Sequence, residues 1–189
     1  QFDNSGYIDN VAASQPTARI TSAVNDADKQ GVAEDKGDRG NDEYTGLRLT
    51  TLWKPTDALD ITLLYLQQDI EQDGWPEVDL TLGDYKQRVL NTGIEGSSNE
   101  FLESDLEIFN MVVNYAFEWG VITSSTSWVT QDSKSEQETA FSFVGTNPYF
   151  YENVRANENF SEELRISSTL DGPLQFTTGI YYEDNDSTW

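Results

Sequence analysis

The feature that most limits what this chain can fold into is a rhythm: long alternating runs, joined in pairs by short turns, with long polar segments between the pairs. The runs are 43–53 and 59–70, 104–117 and 121–132, and 160–170 and 174–186. Lys54-Pro55-Thr56-Asp57, Glu118-Trp119-Gly120 and Asp171-Gly172-Pro173 join them, with Pro55 pre-setting a turn dihedral. Each pair reads as a hairpin, at 43–70, 104–132 and 160–186. Between them lie 10–42, 71–103 and 133–159, rich in Gly, Asn, Asp and Glu. Structureless loops of that length are uncommon in compact soluble domains and usually functional when present.

The runs alternate with period two. Leu59, Ile61, Leu63 and Tyr65 share one face, opposite Asp60, Thr62 and Gln68. Phe109, Met111, Val113, Tyr115 and Phe117 do the same opposite Asn110 and Asn114. Leu174, Phe176, Ile180 and Tyr182 form a third stripe opposite Gln175, Thr177, Gly179 and Glu183. Leu64 and Leu66 break the pattern, and 121–132 carries Ser and Thr on both faces. Each run is about twice the five or six residues of an average soluble strand. Long alternating strands with short turns on one side and long loops on the other are expected of a transmembrane β-barrel. Trp53, Tyr65, Phe117, Trp119 and Trp128 suit its interfacial girdles. The expected fold is therefore all-β, an antiparallel up-and-down meander of six or seven strands, part of such a barrel. A soluble antiparallel sandwich is the alternative, since its strands alternate too.

Composition narrows the chemistry. A net charge of -23 with 37% hydrophobic residues would fit disorder, but five Trp, nine Tyr and nine Phe argue for order. Without Cys there is neither a disulfide framework nor a thiolate metal site. Without His the usual general base and the commonest transition-metal ligand are missing. With 11 basic residues against 34 acidic ones, nucleic acid is not an expected partner. No apolar window reaches the roughly 18 residues of a spanning helix, which barrel strands do not need. The first residues, Gln1-Phe2-Asp3-Asn4-Ser5-Gly6, do not form a signal peptide. Either a leader has been removed or the chain starts within a longer protein; the second is the expectation.

Several stretches resemble the barrel portion of TonB-dependent outer-membrane receptors. They are Gly6-Tyr7-Ile8-Asp9-Asn10-Val11, Leu52-Trp53-Lys54-Pro55-Thr56-Asp57 followed by Leu59-Asp60-Ile61-Thr62-Leu63, Leu80-Thr81-Leu82-Gly83-Asp84-Tyr85, and Ile122-Thr123-Ser124-Ser125-Thr126-Ser127-Trp128. Phe160-Ser161-Glu162-Glu163-Leu164-Arg165-Ile166, then Gly172-Pro173-Leu174 and Gly179-Ile180-Tyr181-Tyr182, are similar to a hairpin that recurs in that family. The resemblance, in order and spacing, covers nearly the whole chain. It implies a barrel of about 22 strands, plugged from the N-terminal side and driven by the TonB system. It further implies a bacterial outer-membrane location, contact with lipid and lipopolysaccharide, and import of a scarce small nutrient (siderophore-iron, cobalamin or oligosaccharide). No plug, TonB box or closing aromatic strand is visible, so the expectation is a barrel piece that supplies wall and loops.

Two loops carry candidate ligand contacts. Trp75, Asp79, Asp84 and Tyr85 offer aromatic and acidic groups for a sugar or cationic chelate; packing of the loop on its neighbours is the competing role. Tyr149, Phe150 and Tyr151, with Phe141, Phe143 and Pro148, form an aromatic cluster for stacking on a flat ligand, or else a loop core or girdle. Asp26-Ala27-Asp28-Lys29-Gln30-Gly31 matches part of a calcium loop, but Gly37 stands where the bidentate Glu belongs. No metal site, cofactor or enzyme activity is expected, since chance carboxylate pairs abound and none is singled out. The rival functions are a soluble β-rich carbohydrate-binding or adhesin module and a two-carboxylate glycosidase.

Overall fold

The computed structural model describes every residue except 12–13, 15–30, 34, 79, 89–90, 95–99 and 139–149; the side chains of 31–33, 36, 81, 88, 91–94, 138, 150 and 151 are likewise outside it. The described chain is all-β. Twelve strands form, in chain order β1 Phe2–Asn4, β2 Ile8–Val11, β3 Gly31–Ala33, β4 Asp35–Arg39, β5 Asn41–Thr56, β6 Leu59–Asp73, β7 Gln87–Arg88, β8 Asn91–Ile94, β9 Phe101–Phe117, β10 Gly120–Glu138, β11 Phe150–Ser168 and β12 Thr177–Thr188. One 3-10 turn, Leu80–Leu82, lies between β6 and β7.

The main sheet has seven strands in the order β1-β5-β6-β9-β10-β11-β12. Its long members are up-and-down neighbours, as the paired runs require. β5, β6, β9, β10 and β11 have 16, 15, 17, 19 and 19 residues and β12 has 12. The long strands therefore meet or exceed the roughly 9–11 residues that a tilted strand needs to cross a bilayer core.

The strands overrun the expected hairpins. β6 continues to Asp73, β9 starts at Phe101, β10 reaches Glu138 and β11 begins at Phe150. Of the expected loop 133–159, 133–138 and 150–159 lie in strands, and 10–42 and 71–103 contain β2, β3, β4, β7 and β8. The physical reason is that ladders are made by backbone groups. Polar stretches such as Ser133–Gln137 and Asn153–Asn159 pair as well as apolar ones, although they show no hydropathy alternation. Pro55 lies within β5, and the first turn is Asp57-Ala58. Proline is tolerated there because β5 is an edge beyond the reach of β1. The third connection is longer than expected, spanning 169–176. The Gln175 carboxamide closes it, donating to the Leu170 carbonyl and accepting from the Leu170 N–H.

The chain divides into two compact units. The first comprises Gln1–Thr45, Asp69–Ser104 and Ser133–Val154. It holds the buried apolar residues found among the described ones, Ile8 and Val11, on β2 between β4 and β7. The second comprises Gly46–Gln68, Asp105–Asp132 and Arg155–Trp189. Among its described residues no large apolar side chain is buried, and its sheet has no second layer of secondary structure.

In that second unit the three apolar stripes meet on one face. The two-residue turns set Thr56 opposite Leu59 and Phe117 opposite Gly120. Phe109 and Trp128 then face each other across β9 and β10, with ring centroids 5.7 Å apart. Trp128 contacts Phe160 at 4.9 Å, and Phe160 contacts Tyr182 at 6.2 Å. On the other face, Asn114 donates to Asp60 at 3.0 Å and accepts from the Thr123 hydroxyl at 2.7 Å. Asp60 and Asn114 are out of phase with Leu63 and Phe109, so those apolar residues share the opposite face. The apolar face is bare: Leu63, Phe109, Tyr115, Trp128, Leu164, Ile180 and Tyr182 are all exposed.

Candidate functional site

The first unit contains a cleft of about 390 Å³. Asp3 on β1, Glu43 on β5, Glu71 and Asp73 at the end of β6, Glu100, and Glu103 at the start of β9 line it, with Phe101 and Leu102. Among the described residues no Lys or Arg lines it. Asp3 and Glu43 are direct cross-strand partners. Like charges so placed repel, and the Gln1 carboxamide offsets this by donating to Glu43 at 2.7 Å.

Behind the cleft wall lies one buried cation. Arg39, 4% exposed, pairs with Asp73 at 2.8 Å and donates to the Glu100 carbonyl at 3.4 Å. It thereby ties the end of β6 to the approach to β9. Two glycines make room for this. Gly40 (φ 79°) donates its N–H to the Asp73 carbonyl at 2.7 Å. Gly74 (φ 86°) passes so close that a Cβ would lie 3.3 Å from an Arg39 terminal nitrogen. Both positive φ values favour glycine.

Neither a family model, nor a curated protein, nor a solved structure matches this chain.

Of the residues singled out in the sequence, Trp75, Asp84 and Tyr85 fall elsewhere than the cleft. Trp75 follows Gly74, half-buried, with its carbonyl accepting from the Glu77 N–H at 2.7 Å. The Asp84 carboxylate accepts from the Lys86 N–H at 2.8 Å, a local turn bond. That turn delivers Lys86, whose carbonyl accepts from the Asp9 N–H at 2.7 Å beside the parallel β2–β7 pair. Tyr85 is exposed in a left-handed conformation (φ 57°). Asp79 and Tyr149 lie outside the described residues, as do Phe141, Phe143, Pro148 and most of the calcium-like segment. Phe150 and Tyr151 open β11, not a loop, and their side chains are not described.

Sequence reasoning passed over the cleft carboxylates and Arg39. Thirty-four acidic residues gave no reason to choose six, and nothing local marks Arg39 as buried. Chemically, the cleft accepts hydrogen bonds and favours positive charge. Among the described residues no group of three or more carboxylates is close enough to hold a metal ion.

Proposed function

We propose that this chain is a wall segment of a bacterial outer-membrane β-barrel of the TonB-dependent receptor type, whose parent imports a scarce nutrient of the siderophore-iron, cobalamin or oligosaccharide class. One observation carries the membrane part: long antiparallel strands present a bare apolar face on one side and hydrogen-bonded polar groups on the other. A β-sheet in water covers its apolar face with a second layer. In a bilayer, lipid covers it.

The receptor and import part rests on the sequence resemblance. Its most specific stretch supports it: 160–168 and 177–182 form an antiparallel pair, with Leu164 opposite Ile180 and Glu162 opposite Tyr182. In this reading lipid and lipopolysaccharide contact the wall, and the TonB system acts through a plug on the parent. The acidic cleft is a candidate for first contact with a cationic or hydroxyl-rich ligand.

A soluble sugar-binding module is less well supported. Its aromatic platform would need near-coplanar rings, whereas the three ring pairs of the apolar face are tilted by 44°, 48° and 55°. Temperature-induced phase separation in a non-ionic detergent tests the membrane part. The chain is expected in the detergent-rich phase; a monodisperse chain in the aqueous phase with no bound detergent refutes the wall. Loss of uptake on deleting the parent gene, reproduced by deleting the TonB partner, tests the import part separately.

A further inference from the structure

The dipeptide Asp-Gly occurs twice in the sequence, at Asp73-Gly74 and at Asp171-Gly172. It is chemically distinctive because glycine has no side chain to shield its amide nitrogen from the carboxyl of the preceding residue. The fold treats the two copies in opposite ways.

Asp73-Gly74 is clamped. Arg39 holds the Asp73 carboxylate at 2.8 Å, and the Asp73 carbonyl accepts from the Gly40 N–H at 2.7 Å. Gly74 is buried, and its carbonyl accepts from the Gln72 carboxamide at 2.8 Å. Its φ of 86° sets it beside the Arg39 guanidinium. Bringing the Asp73 carboxyl onto the Gly74 nitrogen would break the ion pair and turn backbone that these bonds hold.

Asp171-Gly172 is free to turn. It sits at the crest of the 169–176 connection, whose two ends are tied. Gln175 clasps Leu170, the Phe176 N–H donates to the Ser168 hydroxyl at 2.8 Å, and the Thr169 N–H donates to the Trp119 carbonyl at 2.8 Å. Between those ties, residues 171–174 are all exposed and make no hydrogen bond or ion pair among the described residues. A Cβ at Gly172 would meet nothing within 4 Å, so neither a carboxyl nor water is hindered there.

We propose that Asp171 is a modification site: it closes on Gly172 to a succinimide and reopens as isoaspartate, while Asp73 stays aspartate. In the first step the Gly172 nitrogen attacks the side-chain carbonyl carbon of Asp171. A C–N bond forms, a C–O bond breaks, and the acid's hydroxyl leaves with the amide proton as water. In the second step water adds to the main-chain carbonyl of the ring. That frees a carboxylate on Cα and leaves the chain running through the former side chain; addition at the other carbonyl restores aspartate. Nothing is oxidised or reduced. The product carries one extra main-chain carbon next to the Gln175 clasp, so hydrogen exchange at the Leu170 N–H should quicken.

The test holds the full chain in detergent micelles at neutral pH and locates isoaspartate by peptide mapping with electron-transfer fragmentation. About tenfold more is expected at 171 than at 73, since Asp73 must first open locally. In urea, with both positions unfolded, the two should agree within about threefold. Gly172→Ala, whose methyl shields the nitrogen, should cut the signal at 171 about tenfold. Arg39→Met should raise it at 73 and leave it unchanged at 171. Aspartate alone at 171, equal isoaspartate at both positions of the folded chain, a difference that persists in urea, or no effect of Gly172→Ala would each overturn the proposal.

Discussion

Ile180 and Tyr181 are neighbours on β12, comparably exposed at 73% and 62%, and on opposite faces of the sheet. Lysine at either position of a sheet standing in water changes stability by no more than about 0.5 kcal/mol. A lipid-covered apolar face predicts a different result. Ile180 lies three residues from Thr177, about 10 Å along the strand at roughly 3.3 Å per residue. That is well inside an apolar band about 25 Å tall, where a lysine costs about 2–4 kcal/mol. Tyr181→Lys turns toward the polar face with Arg165 and Glu183 and escapes most of this cost. At about 1.4 kcal/mol per decade, the two variants should differ by up to about 30- to 700-fold in bilayer–water partition. Flotation with phosphatidylcholine vesicles at a single low chain concentration measures it. Equal losses in the two variants, or a difference below about twofold, would refute a lipid-facing β12.

Three further outcomes follow from the packing. Gly74→Ala combines a left-handed backbone with a Cβ 3.3 Å from the Arg39 guanidinium; it should cost about 1–2 kcal/mol and speed hydrogen exchange at the Gly40 N–H, and unchanged protection there would count against it. Arg39→Met should cost about 1–3 kcal/mol, below the full value for a broken buried pair because Asp73 is 34% exposed; exchange should rise in the first unit while amides around Asn114 stay protected. Trp128→Ala removes ring contacts to Phe109 and Phe160 and should cost about 1–3 kcal/mol in urea titrations in micelles, with Trp128→Phe recovering most of it.

What the sequence disclosed and what it hid divide along physical lines. Period two in 59–65, 109–117 and 178–182 was legible because one face carries apolar side chains and the other hydrogen-bonded polar groups, and those three stripes do share one face, whereas Leu174 and Phe176 fall in the connection before β12. The strand ends were not legible. In 133–137 and 152–159 polar residues predominate on both faces, so the backbone ladder continues without a hydropathy signal. Pro55 read as a turn residue, but a free edge makes no demand on its missing N–H. The cleft was least legible of all. Its carboxylates come from β1, β5, β6, β9 and the residue before β9, brought together by strand order, and Arg39 is buried through contacts distant in sequence. Asp84 drew notice for its charge, while its observed bond is local to a turn.

One apparent violation sharpens the account of the apolar face. Glu162 lies opposite Tyr182 in the ladder, and so shares that face with Phe160 and Leu164. A bare carboxylate there would carry a large desolvation penalty. Instead, one oxygen accepts from the Ser124 hydroxyl at 2.8 Å and the other from Thr126, which is itself buried. Both donors sit on β10 in the same two-residue phase as Trp128, so the strand that carries the aromatic ring also supplies the hydroxyls. This accounts for Ser124 and Thr126 within the Ser- and Thr-rich stretch 121–132. Those two residues are not gaps in an apolar stripe, because they hold the acceptors of the adjoining strand. The face can therefore carry a carboxylate beneath an aromatic row without leaving either of its oxygens unbonded.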